Sequence, residues 1–159
     1  MKHRYNIEAP ESTNSGIYML YNLTNHKIYI GQTENIQKRA KQHKQLLESN
    51  LHSNKDLQTD YNSGCDFAFV VLEMCESGQK YLLVKELQYI YAFRDKGVKL
   101  YNKESKEKAQ ERLFYEMVFP SVRLIQQDFT RSFHITLAAM SRAKPETLIK
   151  KFSKDNKEG

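Results

Sequence analysis

Two tyrosines, an arginine and a histidine near the start of the chain are candidates for chemistry. Tyr18 and Tyr29 lie in the stretch Gly16–Gly31, which reads GIYMLYNLTNHKIYIG. Arg39 and His43 are four residues apart, which places them on one side of a predicted helix. A strand, a glycine and then the basic first half of a helix form a suitable phosphate site. The alternatives are half-buried packing for the tyrosines, an exposed helix cation for Arg39 and an ordinary surface or half-buried histidine for His43.

The acidic residue of interest is Glu86, which borders the apolar side of another predicted helix. A carboxylate there is costly unless it is paired or bound to a metal. Two interpretations follow. Glu86 is either a metal ligand or a partly exposed side chain that pairs with Lys80 or Lys85.

The elements that position these residues begin with a hairpin. Residues 16–21 and 27–31 predict two antiparallel strands, joined by a turn rich in asparagine. Alternation places Tyr18 and Tyr29 on the face opposite the isoleucines beside them.

Three helices and a third strand complete the predicted domain. Thr33 is the expected N-cap of the first helix. Its inner face is expected to consist of Ile36, Ala40, His43 and Leu47. Residues 53–62 predict a short helix, and residues 66–74 a strand apolar on both faces. The third helix runs to about Arg94, with its inner side made of Leu83, Leu87, Ile90 and Tyr91.

Together these features resemble the signature of the GIY-YIG nuclease family. Both tripeptides match letter for letter, and ten residues separate them. Further residues stand where the family carries the rest of its site, namely Arg39, His43, Glu86 and Asn102. His52 also matches a histidine of intron-type members, with a solvated loop histidine as the alternative. The alternative for Asn102 is an ordinary turn residue.

The resemblance implies a Mg²⁺- or Mn²⁺-dependent DNA endonuclease. Its catalytic residues would be Tyr18, Tyr29, Arg39, His43 and Glu86. Glu86 would be the metal ligand, because one carboxylate with waters and substrate phosphate suits Mg²⁺. Tyr18 would position or deprotonate the attacking water, with its pKa lowered by Arg39, Lys27 or the metal.

The same resemblance assigns supporting roles to Gly31, His52 and Asn102. Gly31 is expected to let the backbone turn sharply off the strand into the helix. The resemblance also implies an α+β fold: a three-stranded antiparallel sheet flanked by helices, over residues 16–103. Residues 1–15 would form an N-terminal arm.

Residues 104–159 are predicted to form a basic, helical C-terminal segment. From residue 121 onward there are eight Lys and Arg against four Asp and Glu, which is +4 of the total +6. Residues 131–153 resemble a helix-turn-helix, although Arg142 stands where glycine is usual. The alternative is a segment that only packs on the core. Predicted DNA contacts are Lys27, Lys38, Lys144, Lys150 and Lys151.

Composition limits the class of protein. Hydrophobic residues make up 40% and charged residues 28%, which is typical of a soluble globular protein. No apolar run approaches the ~20 residues of a membrane span. Cys65 and Cys75 bracket one predicted strand, so they are expected to be free thiols in a reducing cytoplasm, or the host cytoplasm if the gene is a phage gene. The net charge of +6 favours DNA as a partner.

Three functions are consistent with the sequence. The leading one is a metal-dependent DNA endonuclease of the phage or intron homing type. The second is a small restriction or repair-type incision nuclease. The third is a catalytically idle DNA-binding module. Because one site cuts one strand per visit, double-strand cleavage would need a transient dimer or re-docking.

Overall fold

One antiparallel sheet forms the centre of the domain. The computed structural model describes residues 3, 7–75 and 79–103, and its three strands are arranged in the order β2-β1-β3. β1 spans Ser15–Asn22, β2 spans Ile28–Thr33 and β3 spans Phe67–Cys75. The predicted α+β fold, with a three-stranded antiparallel sheet and flanking helices, is confirmed.

An asparagine closes the turn between β1 and β2. The side-chain oxygen of Asn22 accepts hydrogen bonds from the backbone N–H groups of Thr24 (2.8 Å) and Asn25 (3.2 Å). Such a side-chain bond to the following backbone replaces part of a turn's own hydrogen bonding. The resulting register places Tyr18 opposite Gly31.

Helices cover both faces of the sheet. α1 (Ile36–Glu48) and α2 (Lys55–Asn62) pack on the face that carries Tyr18. α3 (Gln79–Asp95) packs on the face that carries Ile17. α1 buries the four residues predicted from its periodicity, namely Ile36, Ala40, His43 and Leu47.

The N-cap of the first helix lies two residues beyond the predicted one. The N-cap is Asn35, whose side chain accepts a hydrogen bond of 2.9 Å from the Lys38 N–H. The prediction of Thr33 was wrong because β2 continues through that residue. Thr33 instead hydrogen-bonds to the backbone of Asn35 and supports the corner.

The inner face of α3 differs in part from the predicted one. Leu87 and Ile90 are buried as expected, whereas Leu83 and Tyr91 are half-buried. Other residues are buried in their place: Leu82, Lys85, Tyr89 and Phe93. The sequence of α3 is apolar around much of its circumference, so periodicity alone does not define one face.

β3 is less buried than predicted. Its residues from Val71 onward are half-buried rather than enclosed on both faces. Within the described ranges β3 pairs only with β1, so it is an edge strand. An edge strand loses the shielding that a neighbour on each side provides, which explains the difference.

The segments before β1 and after α3 also contact the sheet. Residues 98–102 run beside β2, where Ile28 donates to the Lys99 carbonyl and accepts from the Tyr101 N–H. Ile7 is buried against the α1 side of the sheet. The cysteine thiols are free, as predicted. In the part of the chain that the structure describes, no helix is long and apolar enough to cross a membrane.

Candidate active site

The two glycines of the motif allow close packing at the sheet. A Cβ on Gly31 would overlap the hydroxyl oxygen and Cζ of Tyr18 and lie 2.9 Å from its Cε1. A Cβ on Gly16 would lie 2.5 Å from the Glu73 carbonyl oxygen. The expected role of Gly31 in a sharp turn was wrong, because Gly31 lies within β2. It is needed because the Tyr18 ring lies directly on its backbone.

The Tyr18 hydroxyl contacts two other residues of the site. Its oxygen lies 2.7 Å from His43 Nε2 and accepts a hydrogen bond of 3.1 Å from Arg39 Nε. The ring is 1% exposed and stacks on Phe69, with 4.7 Å between centroids. β1 and α1 therefore bring the side chains of Tyr18, Arg39 and His43 together, as the sequence predicted.

His52 extends this network into the interior. Its Nε2 lies 2.9 Å from His43 Nδ1, and its Nδ1 accepts a hydrogen bond of 3.1 Å from the Asn54 N–H. His52 is 2% exposed, so the alternative of a solvated loop histidine is excluded. The backbone N–H of His52 donates to Gln58 Oε1 at 3.0 Å.

Gln58 is a supporting residue that the sequence did not reveal. It is buried, and its Nε2 donates to the Leu47 carbonyl and to Asn62 Oδ1, each at 3.0 Å. These bonds join the end of α1 to α2 and hold the loop that carries His52. The only sequence signal was its position beside Leu57 in an amphipathic helix, and that position does not distinguish it from a surface residue.

Tyr29 contacts both histidines, and Glu86 acts electrostatically on both tyrosines. The Tyr29 ring contacts both histidines edge-on, with centroids 5.7 Å from His43 and 6.2 Å from His52. Burial and the negative charge of Glu86 raise the pKa of Tyr29, while Arg39 lowers it. Glu86 also raises the pKa of Tyr18, which places this carboxylate within electrostatic range of both phenols.

Burial dominates the protonation of the central residues. It raises the pKa of Tyr18 well above its ordinary value, with Tyr29 acting in the same direction and Arg39 in the opposite one. Burial and the nearby Arg39 charge lower the pKa of His43 to about 3. Burial, the largest cause, also lowers the pKa of His52. At neutral pH the site therefore contains a neutral phenol and two neutral imidazoles.

Arg39 supplies the fixed positive charge. Burial alone would lower its pKa, but Tyr18 and Tyr29 raise it, so the guanidinium stays charged. Its Nη1 donates to Gln42 Oε1 at 3.3 Å, in addition to the bond from Nε to Tyr18. These two bonds hold the planar group in one orientation.

Asn102 supports the strand that carries Tyr29. Its side-chain oxygen accepts from the Ile30 N–H and its amide donates to the Ile30 carbonyl, both at 2.8 Å. This pair of bonds satisfies the outer edge of β2 next to the tyrosine. The structure therefore places Asn102 where the predicted supporting role requires it.

Two of the predicted DNA-contacting lysines lie in the part of the chain that the structure describes. Lys27 lies 3.9 Å from Asp60 and 5.5 Å from the centroid of the Tyr101 ring, in a polar cluster at the hairpin turn. The Lys38 side chain is exposed on α1 beside Arg39. The predicted contacts Lys144, Lys150 and Lys151, and the helix-turn-helix at 131–153, lie outside the described residues.

The donor set around Glu86 determines which metal ions fit. The described part of the chain holds no group of three or more His, Cys, Asp or Glu side chains that could bind a metal. Without three such side chains Glu86 does not fit zinc, which takes several nitrogen or sulfur ligands. It fits Mg²⁺ or Mn²⁺, which keep waters and bind substrate phosphates. Lys85, a suggested partner of Glu86, forms a salt bridge of 3.1 Å with Glu73.

The fold and the site by themselves indicate a class of protein. A small α+β domain holds phenols, a fixed guanidinium and one carboxylate beside each other, which is a site for phosphodiester chemistry. The family described as "GIY-YIG catalytic domain" matches residues 14–112. The chain belongs to this family, which confirms the predicted resemblance.

The relatives of the chain agree with this assignment. It is 40% identical over 60 residues to "Intron-associated endonuclease 1" of Enterobacteria phage T4, covering 37% of this chain and 24% of that relative. The structure of the catalytic domain of homing endonuclease I-TevI matches with a TM-score of 0.53 and 30% identity. That match covers 58% of this chain and all of that domain. GIY-YIG nucleases are generally metal-dependent.

Proposed function

We propose that this protein is a Mg²⁺- or Mn²⁺-dependent DNA endonuclease of the phage or intron homing type. The observation that carries the proposal is the Tyr18 hydroxyl, which Arg39 and His43 hold within electrostatic range of Glu86. β1 and α1 meet at this hydroxyl, and α3 supplies the carboxylate that acts on it electrostatically. The intron-associated relative and the homing endonuclease domain support DNA as the substrate.

Arg39 is the residue that would bind the scissile phosphate. Hydrolysis of a phosphodiester places additional negative charge on the phosphoryl oxygens, and a preorganised cation stabilises that charge. A guanidinium has five N–H donors, and Arg39 bonds to Tyr18, Gln42 and Tyr29 while donors remain for a phosphate. Arg39 would therefore join the phosphate to the hydroxyl that faces the attacking water.

Tyr18 would orient the attacking water as a neutral phenol and would accept its proton only as a phenolate. Because burial raises the pKa of Tyr18, the group is a neutral phenol before reaction and orients water by hydrogen bonding. To act as a base, Tyr18 would first release its own proton to solvent. The donors at Arg39 and His43 would stabilise the resulting phenolate, which then takes one proton from the attacking water. Tyr29, edge-on to both histidines, would keep bulk water away from their rings.

Glu86 would hold the metal ion, with waters and substrate phosphate as the other ligands. When bound, the ion would polarise the phosphate and stabilise the leaving oxygen. Its positive charge would also offset the negative charge of Glu86, which raises the pKa of Tyr18. The metal site and the proton acceptor are thus electrostatically linked.

The remaining parts of the chain would serve DNA binding. We propose a catalytic unit over residues 16–103, preceded by an arm over residues 1–15. The basic segment of residues 104–159 would add phosphate contacts through Lys144, Lys150 and Lys151. The site of action would be the cytoplasm, or the host cytoplasm if the gene is carried by a phage. One site cuts one strand, so double-strand cleavage would use a transient dimer or re-docking.

Cleavage of a complex DNA library tests the proposal. Wild-type protein is incubated with Mg²⁺, with Mn²⁺ and with EDTA, and the cut positions are mapped by sequencing. We expect metal-dependent cuts that disappear in Glu86→Gln, whereas the matched control Glu48→Gln, an exposed glutamate on α1, cleaves normally. Equilibrium binding of Mn²⁺ by both variants provides a readout that is independent of activity.

The outcomes separate the three functions. Cuts clustered at one extended sequence support the homing type, and cuts at a short sequence or at distorted DNA support a restriction or repair-type nuclease. Binding without metal-dependent cuts would show a catalytically idle DNA-binding module and overturn the proposal.

A further inference from the structure

The direction of the hydrogen bonds through the two histidines follows from one backbone group. The Asn54 N–H can only donate, so His52 Nδ1, at 3.1 Å, must carry a lone pair. A neutral imidazole has one N–H and one lone pair, so the proton of His52 lies on Nε2.

The same rule then applies to the next ring. His52 Nε2–H donates to His43 Nδ1 at 2.9 Å, so His43 Nδ1 carries a lone pair and its proton lies on Nε2. His43 Nε2–H donates to the Tyr18 oxygen at 2.7 Å. Both rings are buried, so water does not compete at these nitrogens.

We propose that His52 is a positioning residue that fixes His43 in the Nε2–H tautomer, so that Tyr18 cannot pass its proton to His43 and must itself face the reacting water. This inference rests on the proposed endonuclease function and specifies how its site is oriented. It is the reverse of a serine-protease arrangement, in which the third group makes the histidine accept the nucleophile's proton.

The geometry at the phenol agrees with this direction. The Tyr18 oxygen accepts from both His43 Nε2 and Arg39 Nε, which occupies its two lone pairs. Its own O–H must then point in a third direction, away from both donors. Protonating His43 would set two N–H groups against each other between the histidines, and the pKa of His43 near 3 is consistent with that conflict.

Histidine nitrogen NMR of the full-length protein tests the proposal directly. In wild-type protein at neutral pH we expect the His43 Nδ1 resonance in the unprotonated range and Nε2 in the protonated range. The resonances are assigned by their loss in His43→Gln. An Nδ1–H tautomer in the wild type would overturn the inference, and this measurement needs no variant at position 52.

A matched pair of variants then connects the tautomer to catalysis. His52→Gln keeps an N–H donor for His43 Nδ1, whereas His52→Glu has nearly the same shape but only accepts. We expect the Gln variant to retain the Nε2–H tautomer and turnover within about tenfold of wild type. The Glu variant should move the proton to His43 Nδ1 and lower turnover at saturating DNA by about 100-fold or more, with a smaller change in KM.

The outcomes distinguish this inference from the proposed function. A Glu variant that switches tautomer yet turns over like the Gln variant overturns the inference and leaves the endonuclease intact. Wild-type protein that cleaves no DNA overturns the endonuclease, while the tautomer is still read from the spectrum.

Discussion

Replacing Gly31 with alanine should disable the site while leaving the fold in place. The added Cβ would overlap the Tyr18 oxygen and Cζ and lie 2.9 Å from Cε1, whereas ordinary carbon contacts are about 3.5–4.0 Å. The ring must therefore move by about 1 Å, and the stack on Phe69 and the bonds to Arg39 and His43 oppose that movement.

The expected magnitudes follow from this displacement. Overpacking of this kind costs about 1–3 kcal/mol of unfolding free energy. A displacement of about 1 Å at a reacting group costs about 100-fold in rate. Gly31→Ala should therefore unfold at lower denaturant concentration but remain folded at 25 °C, and its turnover at saturating DNA should fall about 100-fold.

Gly97→Ala is the matched control. Gly97 has a φ of +78° and nothing within 4 Å of the added Cβ, so its substitution costs about 1–2 kcal/mol of backbone strain without touching the site. It should lose stability and keep full turnover. If Gly31→Ala cleaves at the wild-type rate, the Tyr18 ring has room to move and the reasoning from the glycine is wrong.

Four further predictions concern charge and protonation. Glu86→Ala should abolish cleavage and leave DNA affinity largely intact, because phosphate contacts remain; nicking within about tenfold of wild type would exclude Glu86 as the ligand. Arg39→Lys keeps the charge but loses the planar guanidinium and its paired donors, so turnover rather than DNA binding should fall. Unchanged turnover at saturating DNA would show that Arg39 is only a surface cation. The pKa of His43 is about 3 in the folded chain, against the 6.5 of a histidine exposed to water, so the unfolded chain takes up a proton that the folded chain does not. The free energy of unfolding should fall by up to about 1.4 kcal/mol per pH unit from pH 6.5 to pH 5. Denaturant titrations at several pH values should show that this dependence of the unfolding free energy on pH is weaker in His43→Gln. Replacing Lys150 and Lys151 with glutamine should weaken DNA binding and reduce its salt dependence, and an unchanged salt slope would indicate that this segment only packs on the core.

Local patterns in the sequence were sufficient for much of the fold. The two-residue alternation of the hairpin placed Tyr18 and Tyr29 on one face, and the structure has both on the α1 side of the sheet. The spacing of four between Arg39 and His43 put them on one side of α1, where both reach Tyr18. These predictions succeeded because residues close in the chain are positioned by backbone geometry alone.

Boundaries and faces were less predictable where several residues could serve the same role. Thr33 and Asn35 are both good N-cap residues, and the length of β2 decided between them. In α3 the apolar residues surround the helix, so the side that faces β1 and β2 was decided by contact with the sheet. Lys85 is buried because Glu73 on β3 lies across from it, at 3.1 Å.

The sequence by itself determined the family, the strands and helices, and the residue types that meet at the site. Only the tertiary structure decided what those residues do to each other. Gly31 is required by the ring of Tyr18, thirteen residues away, and His52 is buried because Gln58 and Asn54 hold its loop. Such roles depend on atoms that folding brings within about 3 Å of each other. Side chains lose their contact with water only when the chain has folded around them. Burial is therefore the largest cause of the pKa shifts at Tyr18 and His43.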